Sequence, residues 1–183
     1  NAVRRPEQIR LALLMISAYG WYALYIGYLQ YAALNGIEAA RSFIWPAYIN
    51  DPSYGIHFDR ARGAFAAAGP QGVFLTTLFF VDLFLMRKVR GPARVALMIQ
   101  AALVPSAIFF TGLRSAYVAF LACLLIWFVF ASRRRWAAFA KTGLLLVAGL
   151  LLTILFWSNL TSKDRGAGGV AQVQPIEIGR AHV

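Results

Sequence analysis

Two arginine-bearing segments hold the chemistry that this sequence could perform. The first is Arg60-Ala61-Arg62-Gly63, followed by Phe65, Gly69, Pro70, Gln71 and Gly72 and then an apolar run. The second is Thr111-Gly112-Leu113-Arg114-Ser115, a tight hairpin between two apolar runs. An arginine deep in a membrane helix costs roughly 2.5–3.5 kcal/mol on insertion scales, and less near an end where it can snorkel, so such residues mark function by default. A helix N-terminus carries about half a positive charge and unpaired N–H groups. An arginine added there makes an anion site. Ser115 is placed to cap the helix after the hairpin, and Pro70 suits the first turn of the helix after the other motif. Two cationic helix ends on one side of a membrane suit a pyrophosphate, which guanidinium groups grip through paired donors. Plainer alternatives stand beside this. Arg114 could rest on a lipid headgroup, and Asp59 could simply pair with Arg60 or Arg62.

Other residues read more plainly. Tyr19, Tyr22, Tyr25, Tyr28 and Tyr31 recur every three residues. They could line a groove for sugar or lipid, but helix packing plus an interfacial aromatic belt is the preferred reading. Asp82 lies about one turn before Arg87, and a local ion pair is expected rather than a proton relay. His57 reads as a loop histidine and Cys123 as a packing residue. Glu38, Asp51 and Asp59 have no metal-ligand spacing, so neither a metal nor a cofactor is expected.

The elements that must position the arginines follow from composition. Of 183 residues, 60% are hydrophobic and 14% charged, with a net charge of +11. A soluble domain is nearer one-half apolar and about one-quarter charged. The composition excludes disorder, and the single cysteine excludes an internal disulfide framework. The positive charge lies in clusters between apolar runs, which points to a polytopic membrane protein and not to a nucleic-acid partner. The expected fold is all-α, with about five transmembrane helices over residues 11–34, 70–86, 95–111, 115–131 and 142–157, each near the ~20 residues a span requires. The second of these is short, but the basic residues after it can snorkel.

Orientation follows from the basic residues. Arg4, Arg5, Arg10, Arg87, Lys88, Arg90, Arg94, Arg133, Arg134, Arg135 and Lys141 fall on one side of this scheme and outnumber those on the other, so that side is cytoplasmic. The loop 35–69, the hairpin at 112–114 and everything after 157 then lie outside. The outer loop holds Trp45-Pro46, Asp51-Pro52 and Tyr54-Gly55, which punctuate turns. Its aromatics point to a loop resting on the membrane interface.

The ends are read as edges of a fragment. The chain starts at Asn1 rather than Met, close to the first span. Residues 1–157 form the expected helical bundle, and residues 158–176 the start of a large external loop. Residues 177–183 back-translate to a string resembling a short-read sequencing adapter, so they are expected to be translated adapter. A natural polar tail is the alternative.

The motif from Arg60 to Phe65 with Pro70 and Gly72, and the motif from Thr111 to Tyr117, resemble those of the O-antigen ligase and Wzy-type polymerase superfamily. The resemblance covers roughly residues 54–157. Leu113 stands where that family usually has serine, and Gly69 stands before the proline where it commonly has histidine or asparagine. The resemblance implies a bacterial inner-membrane glycosyltransferase. Such an enzyme moves a glycan from an undecaprenyl-pyrophosphate carrier to a hydroxyl acceptor on the periplasmic face. The acceptor would be lipid A-core, a growing polysaccharide or a protein. By motif, the pyrophosphate falls to Arg62 and Arg114, with Arg60 as the weaker choice. The family's proposed base, a histidine, lies in the large periplasmic loop, so no general base is assigned here. The rival expectation is a transporter or channel segment that binds an anionic solute through Arg62 and Arg114; such proteins more often show broken helices or internal repeats.

Overall fold

The computed structural model describes residues 6–49 and 60–131, together with positions 143, 144, 146–149, 151 and 154. Among these residues every element is helical. In chain order they are α1 (Pro6–Leu34), α2 (Glu38–Arg41), a 3-10 turn (Pro46–Tyr48), α3 (Ala68–Leu85), α4 (Pro92–Phe110) and α5 (Arg114–Ala131). Three helices, Glu7–Leu34, Ala68–Leu85 and Pro92–Phe110, are long and apolar enough to cross a membrane. That is fewer than the five expected. The described, uninterrupted part of the fourth expected span, Arg114–Phe128, falls among the shorter apolar helices. Half of the fifth lies outside the described residues, and its Gly149 lies against Ala102 and Pro105 of α4. His57, Asp51, Asp59 and residues 158–183 also lie outside them.

The three long helices pack on one another, and α5 packs mainly on α3. Contacts between paired residues give their directions. Ser17 of α1 meets Asp82 of α3, and Gln30 of α1 meets Gly63 just before α3, so α1 and α3 are antiparallel. Ser17 also meets Gln100, and Tyr28 meets Leu103, so α1 and α4 run together. The end of α1, the arginine loop, the end of α4 and the start of α5 therefore share one end of the bundle. This alternation agrees with the sidedness expected of these segments.

The core is made by Leu24, Leu75, Leu78, Phe79, Val104, Ala107, Ile108 and Phe120, where the four helices converge. Outward positions are apolar as well. Leu11, Met15, Val73, Phe84, Val95, Ile99, Val118, Leu121 and Leu125 are all exposed. A water-facing bundle would put polar residues there, whereas a helix apolar on all sides belongs in a buried or lipid setting. The chain accordingly reads as a membrane-embedded, multi-pass protein.

Close approach of the helices depends on small residues. A Cβ at Gly20 would stand 2.5 Å from Leu78 Cδ1 and 2.8 Å from Gln100 Nε2, and one at Gly72 would stand 2.8 Å from Ala116 Cβ. Such contacts let dispersion act between helices whose surfaces are no more apolar than lipid. Beside Pro105, inside α4, the hydroxyls of Ser106 and Tyr28 lie 2.8 and 3.2 Å from the Leu103 carbonyl and hydrogen-bond to one another.

The tyrosine series divides along α1. Tyr31 stacks on Phe110 at 3.6 Å and Tyr28 meets the same ring edge-on at 5.0 Å, so these two pack between helices. Tyr19, Tyr22 and Tyr25 are exposed. Tyr19 meets Phe74 and Phe65, and Tyr22 meets Tyr48.

Candidate functional site

The arginine loop is built from α1 outward. Gln30, 1% exposed, accepts hydrogen bonds at its Oε1 from the backbone N–H of Arg62 (2.9 Å) and Gly63 (2.8 Å). Its Nε2 donates to the carbonyls of Tyr48 (2.6 Å) and Gly63 (2.9 Å). One side chain thus joins the segment after α2 to the first arginine motif. Gly63 has φ +59, which favours glycine, and the Gln71 carboxamide occupies the space where a Cβ would go. Glycine is required there on both counts.

The two arginine motifs, about 50 residues apart in sequence, meet at this end of the bundle. The Ala61 N–H donates to the Phe110 carbonyl at 3.0 Å, docking the loop on the end of α4. The Arg60 side chain crosses Gly112, where a Cβ would stand 3.3 Å from its Cγ and 3.5 Å from its Nε. Gly112 has φ +63 and turns the chain from α4 into α5. Arg114 is the first residue of α5. It is exposed, and its side chain makes no hydrogen bond or ion pair among the described residues.

Arg62 is differently placed. Its Nη2 donates to the carbonyls of Ala47 (2.9 Å) and Ile49 (3.4 Å), and its Nη1 reaches the Ala66 carbonyl at 3.4 Å. Its Nε is buried without an acceptor among the described residues. Part of this guanidinium therefore holds the loop together. Of the two motif arginines, Arg114 is the more open. Arg60 is the arginine whose side chain lies against the turn that leads to Arg114.

Two local expectations are corrected. Ser115 does not cap α5. The Leu113 carbonyl accepts from the N–H groups of Ala116 and Tyr117, so Leu113 precedes the helix and Ser115 lies inside its first turn. Nor does Asp82 pair with Arg87. Asp82 is fully buried, and Ser17 Oγ lies 2.8 Å from its Oδ1 and 2.7 Å from Gln100 Oε1, while Gln100 Nε2 donates to the Ser17 carbonyl. Arg87 instead lies over the Trp127 ring, 5.8 Å from its centroid. Packing against two other helices gives Asp82 a partner across the bundle, where its own helix offers only a longer reach to the surface.

Sequence reasoning missed Gln30, Ser17 and Gln100. The available signal was an uncharged polar residue within an apolar run, which marks a hydrogen bond between helices. Comparison of the chain with protein-family models, curated proteins and solved structures finds no match.

Proposed function

We propose that this chain is a segment of a bacterial inner-membrane glycosyltransferase of the O-antigen ligase type, with its arginine-lined end binding the pyrophosphate of a lipid-linked glycan donor. The observation that carries the reading is the docking of the Arg60–Arg62 loop on the hairpin before Arg114, through the bond from Ala61 to Phe110 and the contact of Arg60 with Gly112. It brings sequence-distant arginines to the end of the bundle where an apolar helix has its N-terminus, which itself attracts anions.

In this reading Arg114 and Arg60 face the diphosphate, and Arg62 braces the loop and offers its remaining Nη1 N–H. When the glycosidic bond to phosphate breaks, negative charge grows on the leaving pyrophosphate. Cations fixed beforehand in a site with little water stabilise that charge without reorganising. The base that activates the acceptor hydroxyl is expected in the periplasmic loop beyond this segment. Transporters more often show broken helices or internal repeats, and α3 and α4 run unbroken through the described residues.

The test uses a full-length protein containing this segment and transfer from a lipid-linked glycan donor. Arg114→Lys should impair transfer strongly, because lysine keeps the charge and loses the planar two-pronged geometry. Arg114→Ala should be worse, by about a hundredfold, the usual loss when one donor to developing charge is removed. Arg41, exposed and only 3.8 Å from Glu38, is the control and should tolerate alanine. Full transfer by a correctly inserted Arg114→Ala protein would refute the reading.

A further inference from the structure

We infer that Gln30, on α1 and outside both arginine motifs, is the positioning residue that sets the Arg62 guanidinium before any anion arrives. The inference rests on the pyrophosphate reading above. A carboxamide has two N–H donors and two acceptor lone pairs, and Gln30 uses all four on backbone groups from two separate stretches of chain. Three of these bonds reach 32 or 33 residues ahead and one reaches 18, so none belongs to the regular bonding of α1.

The geometry closes on itself. Gln30 holds the peptide between Arg62 and Gly63 from one side and the Tyr48 carbonyl from the other. The Arg62 side chain then returns to that second stretch, donating to Ala47 and Ile49, the residues flanking Tyr48. The backbone that carries Arg62 and the acceptors that orient its guanidinium are therefore both fixed by one buried amide. Gln71 stands behind Gly63 and fills the remaining space. A guanidinium held this way loses little freedom on binding, which is what preorganisation requires.

The amide is also chemically specific. Glutamate at position 30 would still accept from Arg62 and Gly63, but it would set an oxygen against the carbonyls of Tyr48 and Gly63 where an N–H now donates. Leucine or alanine would leave all four backbone groups without this partner.

The experiment is a double-mutant cycle in the full-length protein, reading the affinity for inorganic pyrophosphate by calorimetry. Gln30→Ala and Gln30→Glu are each made in the wild-type and the Arg62→Ala backgrounds. Gln100→Leu serves as a second buried-glutamine control at the α1–α3–α4 contact, and thermal melting is recorded for every variant. Each Gln30 change should weaken pyrophosphate binding about tenfold in the wild-type background and not further once Arg62 is gone, because residues acting as one unit are non-additive. Gln100→Leu should lower the melting temperature and leave the affinity unchanged. The inference is overturned if the Gln30 variants bind as wild type while Arg62→Ala is impaired. It is overturned equally if their loss persists in full without Arg62, or if Gln100→Leu weakens binding as much as they do. Loss of pyrophosphate affinity in none of Arg60→Ala, Arg62→Ala and Arg114→Ala would instead remove the pyrophosphate reading itself, and the inference with it. Should Gln30→Ala fail to insert, Gln30→Glu, with the same shape and two of its four bonds, decides the matter.

Discussion

Gly20→Ala adds one methyl group at the tightest described contact between α1 and α3. That carbon would lie 2.5 and 2.6 Å from the two Leu78 methyls and 2.8 Å from Gln100 Nε2. Apolar carbons rest at about 3.5–4.0 Å, so the overlap is near 1 Å. Neither neighbour can retreat easily. Leu78 is fully buried, and Gln100 is tied to the Ser17 carbonyl at 2.8 Å and lies 2.7 Å from the Ser17 hydroxyl. Overpacking of this kind costs about 1–3 kcal/mol. Replacing a mid-helix glycine by alanine returns about 0.5–1 kcal/mol of backbone entropy. Taking the middle of each range, the net expectation is a destabilisation of about 1 kcal/mol. For a chain of this size that is a melting temperature lower by about 2–4 °C. The matched control is Gly69→Ala, where a Cβ would meet nothing closer than Leu113 Cδ1 at 4.0 Å. It should melt at or slightly above the wild-type temperature. Thermal unfolding of purified protein in detergent measures both, and Leu78→Ala should rescue part of the Gly20→Ala loss by removing the opposing methyls. If Gly20→Ala melts as high as wild type, the helices do not approach at Gly20 as described. The Ser17–Asp82–Gln100 contact, one turn away, would then need to be reconsidered.

Two further outcomes follow from the same geometry. Arg62→Ala should lower stability by about 1–2 kcal/mol, since it strips the Ala47 and Ile49 carbonyls of their donor, whereas Arg114→Ala should stay within about 0.5 kcal/mol of wild type; equal melting losses in the two variants would contradict the division of roles between a bracing and an open arginine. In a background lacking Cys123, cysteines placed at Ser42 and at Lys88, exposed at opposite ends of the bundle, should label from opposite sides of the membrane with an impermeant reagent, Ser42 from outside, and labelling of both from one side would refute the antiparallel arrangement.

How much of this was legible in the sequence depends on the kind of interaction. Apolar runs located the helices, because a chain in lipid must satisfy its backbone internally and only a helix does so within one segment. The expected run 95–111 became Pro92–Phe110, and 70–86 became Ala68–Leu85. The run 11–34 began earlier, at Pro6, because helical bonding continues past the last apolar side chain into Glu7, Gln8 and Arg10. The clustering of Lys and Arg also gave helix directions that agree with the fold. Glycine at 112 between two such runs announced a hairpin, which a residue at φ +63 makes.

The facing of the helices was not legible. Lipid-exposed and core-facing positions are both apolar here, so no amphipathic stripe marks the inner side of α1, α3 or α4, and periodicity has nothing to read. Only the polar exceptions could have pointed inward, and their partners lie far along the chain: Ser17 with Asp82 and Gln100, and Gln30 with Arg62, Gly63 and Tyr48. Local rules therefore chose the wrong partner for Asp82 and the wrong cap for α5. They could say that Arg60, Arg62 and Arg114 belong at one end of the bundle. Which guanidinium braces the loop and which stays open was decided by the carbonyls of Ala47 and Ile49 and the turn at Gly112. Those groups reach the arginines only once α1, α3 and α4 have packed.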